Sequence, residues 1–394
     1  QRLRQLSAHE IGHTLGLQHN YASSYNDRAS VMDYPHPNVF INEKGEMDFS
    51  KVYTNEIGAW DKRAIMYGYQ DFEKNTDETK ALQNLLAENT KQGLLFIADA
   101  DARAASGFHP NAHLWDNEKD ATVGLKNTLA VRAKALENFS ENTIRIGAPL
   151  ATLEDVLVPV YNYHRYQLEA VCKLIGGIDY SYSTRGDEQK KPSFVPAAMQ
   201  QKALAAAVAC LSPTTLTLPE FIVAQIPPRP PLYYSGELFA KRTGMSFDPL
   251  SAAEALADFE LAFLFNPERA NRLTINKARG EGIGFAELID AVVAETFQKP
   301  LGKGLQEAVG LQTQQMVVTW LLGVSQSEQS NYEVKAICSE KLNALKKWAA
   351  EQVKANKYKT HLAYLIDRIA HPKEISLPKH KEIAPGAPIG CDLD

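Results

Sequence analysis

The stretch His9-Glu10-Ile11-Gly12-His13-Thr14-Leu15-Gly16-Leu17-Gln18-His19 decides how the rest of the chain is interpreted. Residues four apart lie on one face of an α-helix, so His9 and His13 can point at one metal ion. Glu10 lies a quarter-turn round the helix and can reach a metal-bound water without being a ligand. Gly16 can take the left-handed conformation that ends a helix, and the chain reversal would bring the last histidine back as a third ligand. Three imidazoles with one open position predict a catalytic zinc site.

A second motif, Ser30-Val31-Met32-Asp33-Tyr34-Pro35, follows shortly after His19. Together the two motifs resemble the metzincin clan of zinc proteases, whose signature is H-E-x-x-H-x-x-G-x-x-H followed by a methionine turn. The resemblance implies that Met32 forms an apolar floor beneath the imidazoles without binding the metal. It leaves two roles open for Tyr34, which either binds the zinc and helps stabilise the oxyanion or packs as a buried tyrosine. Asn20, directly after the third histidine, does not match the better-known subfamilies.

The chain is more specifically similar to the bacterial Met-zincin family of large envelope or secreted proteins. The zinc motif carries this resemblance together with three later stretches, 161–167, 226–230 and 385–390. Metzincins are expected to have a small β-sheet before the zinc helix, and this sequence lacks one. We therefore expect the chain to be the C-terminal part of a longer protein. The resemblance also implies an extracytoplasmic location, whether secreted, periplasmic or attached to the envelope.

The activity implied by the resemblance is that of a zinc-dependent endopeptidase with one catalytic zinc ion. His9, His13 and His19 would bind the zinc, and Glu10 would be the general base for a zinc-activated water that attacks the peptide bond. The alternative is a zinc-stabilised, non-catalytic binding or structural module of a cell-envelope protein, which the lack of the upstream sheet favours. A purely structural site, however, does not need Glu10 and normally closes its fourth position. The cleavage specificity, and whether this chain is active by itself, stay open.

Composition and charge argue against several other classes of protein. The chain has 394 residues, of which 44% are hydrophobic and 23% charged, as is ordinary for a globular protein of two or three domains. A net charge of −5, without basic runs and interleaved aromatic residues, argues against nucleic acid as the main partner. No apolar run approaches the ~20 residues of a membrane span. We expect a peptide or protein substrate, and the oligomeric state stays open.

The hydrophobic pattern predicts a mainly α fold. We expect the zinc helix and methionine turn to form the C-terminal part of a metzincin-like catalytic domain over residues 1–72. A helical region with a small β-hairpin near 178–195 should cover 73–235, and a second helical region with an irregular tail should cover 236–394. Asp61 is the expected N-cap of a helix near the end of the catalytic part. Periodicity and capping signals predict the main helices over 2–15, 121–139, 152–175, 196–211, 252–265, 285–297, 305–322 and 332–353.

Three further features leave alternatives open. The run from Ile97 to Asp120 is rich in oxygen donors and suits calcium, although its spacing is not that of an EF-hand and a polar loop is the simpler interpretation. Pro227–Pro231 is either an extended connector across the protein's own surface or a polyproline ligand for a partner. The four cysteines form no C-x-x-C pair, and their spacing selects no disulfide pairing; they are Cys172, Cys210, Cys338 and Cys391.

Overall fold

The computed structural model describes residues 1–187, 189–234, 238–354 and 358–372. These residues form the mainly α fold that the sequence predicts. The α-helices in chain order are α1 Arg2–Thr14, α2 Ala59–Tyr69, α3 Glu78–Lys91, α4 Asp99–Arg103, α5 Ala121–Glu137, α6 Leu153–Tyr161, α7 Arg165–Leu174, α8 Ala197–Val208, α9 Pro213–Leu216, α10 Glu220–Val223, α11 Pro249–Leu264, α12 Pro267–Ala278, α13 Phe285–Val293, α14 Leu305–Gln326, α15 Tyr332–Val353 and α16 Lys359–Ala370.

Four short strands form two antiparallel sheets in the described part of the chain. Strand β1 (Phe40–Ile41) pairs with β2 (Met47–Asp48), and β3 (Ile178–Asp179) pairs with β4 (Ser193–Phe194). The second sheet is the predicted hairpin near 178–195, with strands of only two residues. Strand β3 ends at Asp179, and in the segment that follows it the hydroxyls of Tyr180 and Tyr182 donate hydrogen bonds to Asp101 of α4.

The chain folds into two compact units. As far as they are described, the first contains Gln1–Lys134 and Tyr166–Val195, and the second contains Ala135–Arg165 and the residues from Pro196 onward. The units therefore interleave along the chain, whereas the segments predicted from the sequence, 1–72, 73–235 and 236–394, are consecutive. The return of residues 166–195 to the first unit depends on contacts between residues far apart in the sequence, which local patterns do not reveal.

The helix predicted over 152–175 is wrong as a continuous element. Helix α6 ends at Tyr161 and α7 begins at Arg165, with a turn between them. Pro159 lies inside α6 and has no N–H group to donate to the carbonyl four residues earlier, which weakens the helix near its end. Thr152 does not cap the helix with its side chain, because its hydroxyl donates to the Pro149 carbonyl at 2.8 Å instead.

The second unit has an α-helical core around α14. Helix α14 packs against α11 and α15, and α15 packs against α16. Helix α15 has the predicted bounds, and its buried face, which includes Val334, Leu342 and Leu345, follows the predicted stripe. The long apolar helix α14 is buried over most of its length, because it has neighbours on more than one side.

Residues 227–230 are neither helix nor strand, and a turn follows in which the Tyr233 N–H donates to the Pro230 carbonyl at 3.4 Å. Arg229 forms an ion pair with Asp155 at 2.6 Å and donates a further hydrogen bond to the Ala151 carbonyl at 3.1 Å. These contacts support the interpretation of a connector laid along the protein's own surface.

The described cysteines, Cys172, Cys210 and Cys338, are buried thiols. Cys391 and the Pro-rich stretch after residue 375 lie outside the described residues.

Within the described residues, no single helix is both long and apolar enough to cross a membrane. One pair, Ala197–Leu211 with Pro213–Val223, has the length and composition when both members are taken together, but it is bent by 56°. Several residues of this pair, including Leu204 and Ile222, are buried in the second unit.

A buried carboxyl in the second unit yields a prediction about stability. Glu260 of α11 is 1% exposed, and no described group donates a hydrogen bond to its Oε1 atom. Burial raises the pKa of Glu260 well above its ordinary value, and the charge of Glu295 raises it further. A carboxyl whose pKa is raised by folding stabilises the fold below its unfolded pKa, and this contribution is lost as the pH rises toward the folded pKa.

Glu260→Gln is therefore expected to raise the unfolding free energy at pH 8 by about 1–3 kcal/mol, because glutamine does not titrate and raising the pKa of a carboxyl by one costs its ionised form about 1.4 kcal/mol. The gain should be much smaller at pH 5, which is only just above the ordinary glutamate pKa of 4.5. Urea unfolding of metal-free protein at both pH values measures it, with the exposed Glu340→Gln as the matched control. A variant that is equally destabilised at both pH values would contradict the prediction.

Candidate metal centre

Helix α1 carries the first two histidines and ends as the sequence predicts. It spans Arg2–Thr14, and Gly16 follows with a φ of +80°. The Gly16 N–H donates to the His13 carbonyl at 2.9 Å and the Leu17 N–H to the Gly12 carbonyl at 3.0 Å. This pair of bonds is the Schellman pattern, which needs a left-handed residue after the helix. The predicted chain reversal at Gly16 is therefore confirmed.

The three histidine side chains converge on one point. The Nε2 atom of His13 lies 3.0 Å from Nε2 of His9 and 3.2 Å from Nε2 of His19. Zinc–nitrogen bonds of about 2.0–2.1 Å in tetrahedral geometry imply ligand separations of about 3.3 Å. In the described part of the chain, this triad is the one cluster of at least three His, Cys, Asp or Glu side chains placed to hold a metal ion.

The second nitrogen of each ring faces a hydrogen-bond acceptor. His9 Nδ1 lies 2.7 Å from the Val31 carbonyl, and His13 Nδ1 lies 2.9 Å from the Leu17 carbonyl. His19 Nδ1 lies 3.0 Å from the Asp99 carboxylate. Because these acceptors require an N–H at Nδ1, the lone pair of each neutral ring is left on Nε2. Ligand histidines of metal sites are oriented in the same way.

Burial favours the neutral form of two of these rings. Burial lowers the pKa of His9, with the Val31 hydrogen bond opposing it. Burial also lowers the pKa of His19, against the charge of Asp99. Neutral imidazole is the form that binds a metal, so the environment suits a ligand role.

Met32 lies beneath α1 and is fully buried. Its Sδ atom would be 2.3 Å from a Cβ atom added to Gly12, so the side chain packs directly against the helix between the first two histidines. The backbone of the turn also contacts one candidate ligand and the residue after another, since Val31 accepts from His9 and the Met32 carbonyl accepts from the Asn20 N–H at 2.9 Å. This packing fits the expected apolar floor.

Gly12→Ala is expected to destabilise the protein by about 1–3 kcal/mol, as overpacking of a filled core usually does. Intrinsic helix propensity alone predicts a gain of about 1 kcal/mol for this change, so the sign distinguishes the two effects. Gly68→Ala is the matched control in α2, because no described atom lies within 4 Å of a Cβ added there. Thermal unfolding of both variants tests the packing of Met32; a Gly12→Ala protein as stable as Gly68→Ala would contradict it.

Asp61 anchors the methionine turn to α2. The helix is capped by Gly58, so the predicted N-cap role of Asp61 is wrong. Its buried carboxylate instead accepts hydrogen bonds from Ser30 Oγ at 2.5 Å, Val31 N at 2.8 Å and Gly58 N at 2.7 Å. Burial raises the pKa of Asp61, while these donors lower it. One carboxylate thus fixes both the helix start and the turn under the candidate site.

Asn20, which departs from the better-known metzincin pattern, has a structural use. The residue is fully buried, and its amide donates to the Leu95 carbonyl at 2.9 Å. Its Oδ1 atom accepts from the N–H groups of Ala22 at 3.1 Å and Ile97 at 3.2 Å. Asn20 therefore joins the segment after His19 to residues 95–97, which lead into α4.

Tyr34 lies against the ligand rings and is almost fully buried. Its ring centroid is 4.8 Å from that of His19 and 5.4 Å from that of His9. On other sides it contacts Trp115 at 5.8 Å between centroids and the Arg103 guanidinium at 5.2 Å. It belongs to the hydrophobic core beneath the site, so packing is part of its role.

The acidic run after Ile97 does not gather around a cation in the described structure. Asp99 contacts His19 and accepts from Arg103 at 2.7 Å, while Asp101 accepts from Tyr180 and Tyr182. No calcium cluster is therefore supported among the described residues. The sequence does not identify Asp99 as a neighbour of His19, because the two residues are 80 positions apart in the chain.

Glu10 follows His9 on α1, and its side chain is exposed. Its negative charge acts on His9, whose pKa burial lowers and Glu10 raises.

The family described as Met-zincin matches residues 1–304 of this chain. No curated protein and no solved structure matches this chain.

Proposed function

Because the chain belongs to the Met-zincin family, we propose that it is a zinc-dependent endopeptidase whose metal ligands are His9, His13 and His19. The observation that carries the proposal is the convergence of three Nε2 atoms whose rings are each held through Nδ1. This donor set suits one zinc ion and leaves a coordination position for water or substrate.

Zinc bound there would polarise the scissile carbonyl and lower the pKa of its water toward about 7. Glu10 accepts the proton of the attacking water and passes it to the leaving amine as general acid. Its exposed position on α1 leaves it accessible to substrate. Val31, Leu17 and Asp99 hold the three rings, and Met32 supports them from below.

Tyr34 is assigned to the oxyanion, as the metzincin resemblance implies, with its contacts to His9 and His19 in support. The ring of Tyr34 packs in the hydrophobic core, and its hydroxyl is the group that would donate a hydrogen bond to the oxyanion.

The substrate is a peptide or protein, and we place the enzyme outside the cytoplasm. The location is supported by the resemblance to envelope and secreted proteins. The composition supports a protein substrate over nucleic acid through its net charge of −5.

The test is an assay of the zinc-loaded 394-residue chain on a peptide library, with cleavage sites read by mass spectrometry. We expect internal cleavage that a chelator abolishes and zinc restores, and saturable binding of a hydroxamate inhibitor. Stoichiometric zinc with neither cleavage nor hydroxamate binding would contradict the proposal. It would favour the alternative, a non-catalytic module in which zinc only stabilises the fold.

A further inference from the structure

Helix α4 carries three charged side chains that link the candidate metal centre to the segment after β3. It spans only Asp99–Arg103. Asp99 faces His19, Arg103 faces Asp99, and Asp101 faces the segment that follows β3.

The contact with His19 is directed at the nitrogen that does not face the metal site. The two carboxylate oxygens of Asp99 lie 3.0 and 3.2 Å from His19 Nδ1. A carboxylate at this nitrogen fixes the ring orientation and strengthens the ring as a donor through its other nitrogen. Of the three candidate ligands, His19 alone has a side-chain carboxylate in this position, since His9 and His13 use backbone carbonyls.

Arg103 holds the same carboxylate from behind. Its Nε atom donates to Asp99 Oδ1 at 2.7 Å, and its Nη2 atom donates to the Tyr21 hydroxyl at 2.8 Å. The guanidinium also lies over the rings of Tyr21 and Tyr34, at 5.6 and 5.2 Å from their centroids. Asp99 is thus fixed between a cation and the imidazole, which restricts it more than a single contact would.

Two tyrosine hydroxyls hold α4 itself. Tyr180 and Tyr182 both donate to the Asp101 carboxylate. The Tyr182 hydroxyl also accepts from the Ala98 N–H at 3.1 Å, at the start of a helix whose N-cap side chain makes no hydrogen bond. The Tyr180 carbonyl accepts from His109 Nε2 at 2.8 Å, which fixes this segment in turn.

We propose that Asp99 is a positioning residue for the third metal ligand, and that the hydroxyl groups of Tyr180 and Tyr182 hold α4 in place for it. Zinc affinity then depends on the segment after β3, which contributes no ligand. The inference rests on the proposed function only in taking His9, His13 and His19 as zinc ligands.

The experiment measures the zinc dissociation constant by chelator competition for the full chain and three variants. Asp99→Ala is expected to weaken binding about 10–100-fold, the usual effect of losing such an outer partner. Asp99→Asn keeps an acceptor for His19 Nδ1 and should recover part of the loss. The double variant Tyr180→Phe/Tyr182→Phe should also weaken zinc binding, although by less than Asp99→Ala. The loss is smaller because these tyrosines act on the ligands only through α4.

A matched control and a second readout separate positioning from general stability. Tyr161→Phe removes a hydroxyl that donates to the Leu216 carbonyl at 2.5 Å in the second unit, and it should leave zinc affinity unchanged. The visible spectrum of the cobalt-loaded protein reports ligand geometry, so it should shift in Asp99→Ala and stay as in the wild type in Tyr161→Phe. A tenfold loss of affinity should also reduce the zinc-induced stabilisation by about 1.4 kcal/mol.

The outcomes distinguish this inference from the proposed function. If the wild type binds zinc and Asp99→Ala matches it in affinity and cobalt spectrum, the positioning role is overturned while the zinc site stands. If Asp99→Ala is weakened but the double phenylalanine variant is not, the role of the tyrosines is overturned. A wild type that binds no zinc would overturn both proposals.

Discussion

Replacing Glu10 by glutamine is expected to lower kcat/KM for peptide cleavage by about 10²–10⁴-fold, the usual contribution of a general acid–base group. Glutamine has nearly the shape of glutamate but cannot accept the proton of the attacking water. Glu10 follows His9 on α1 and has an exposed side chain, so the substitution should leave the fold and the zinc content as they are. The measurement is kcat/KM at pH 7 together with zinc per chain.

A matched control uses another exposed glutamate of the first unit, Glu43, which lies in the turn between β1 and β2. Glu43→Gln should retain full activity. If Glu10→Gln cleaves as fast as this control, Glu10 is not the base, and the similarity of the motif to a metzincin helix has no catalytic meaning here.

Removing one ring of the triad is expected to have the second largest effect. Binding energies of about 10–16 kcal/mol for four-ligand zinc sites correspond to roughly 2.5–4 kcal/mol per ligand. His9→Ala should therefore raise the zinc dissociation constant by about 10²–10³-fold. His9 is buried and bonded to Val31, so its loss also removes a contact between α1 and the methionine turn.

His371→Ala is the control for that measurement, because His371 follows the end of α16, its side chain is 77% exposed, and in the described structure it pairs only with Asp367 of that helix. Chelator competition on both variants gives the affinities. A His9→Ala protein that binds one zinc ion as tightly as the control would remove His9 from the ligand set.

The parts of the site that the sequence predicts are those that depend on neighbours in the chain. The spacing of His9 and His13 follows from the helix repeat, and the reversal at Gly16 follows from the left-handed preference of glycine. Helix α15 was also predictable, since its bounds and its buried face follow one regular pattern. In each case the deciding contacts lie within a few residues.

The parts that the sequence misses depend on contacts across long stretches of chain. In the sequence, Asp99 is one of several oxygen donors that suit calcium. Its contact with His19, which is 80 residues away in the chain, is seen only in the folded structure. Asp61 satisfies the rules for an N-cap, but three donors from two segments compete for its carboxylate. The helix over 152–175 shows strong periodicity, yet Pro159 and the turn before Arg165 divide it. Local helix and capping propensities contain no information about such tertiary contacts.

The most direct test of the zinc site is diffraction from zinc-loaded crystals, with data collected on both sides of the zinc absorption edge. The proposed zinc site predicts one anomalous peak at about 2.0–2.1 Å from Nε2 of His9, His13 and His19, with a water or a hydroxamate at the remaining coordination position. A fully loaded protein whose peak lies elsewhere, or whose three rings point apart, would contradict it.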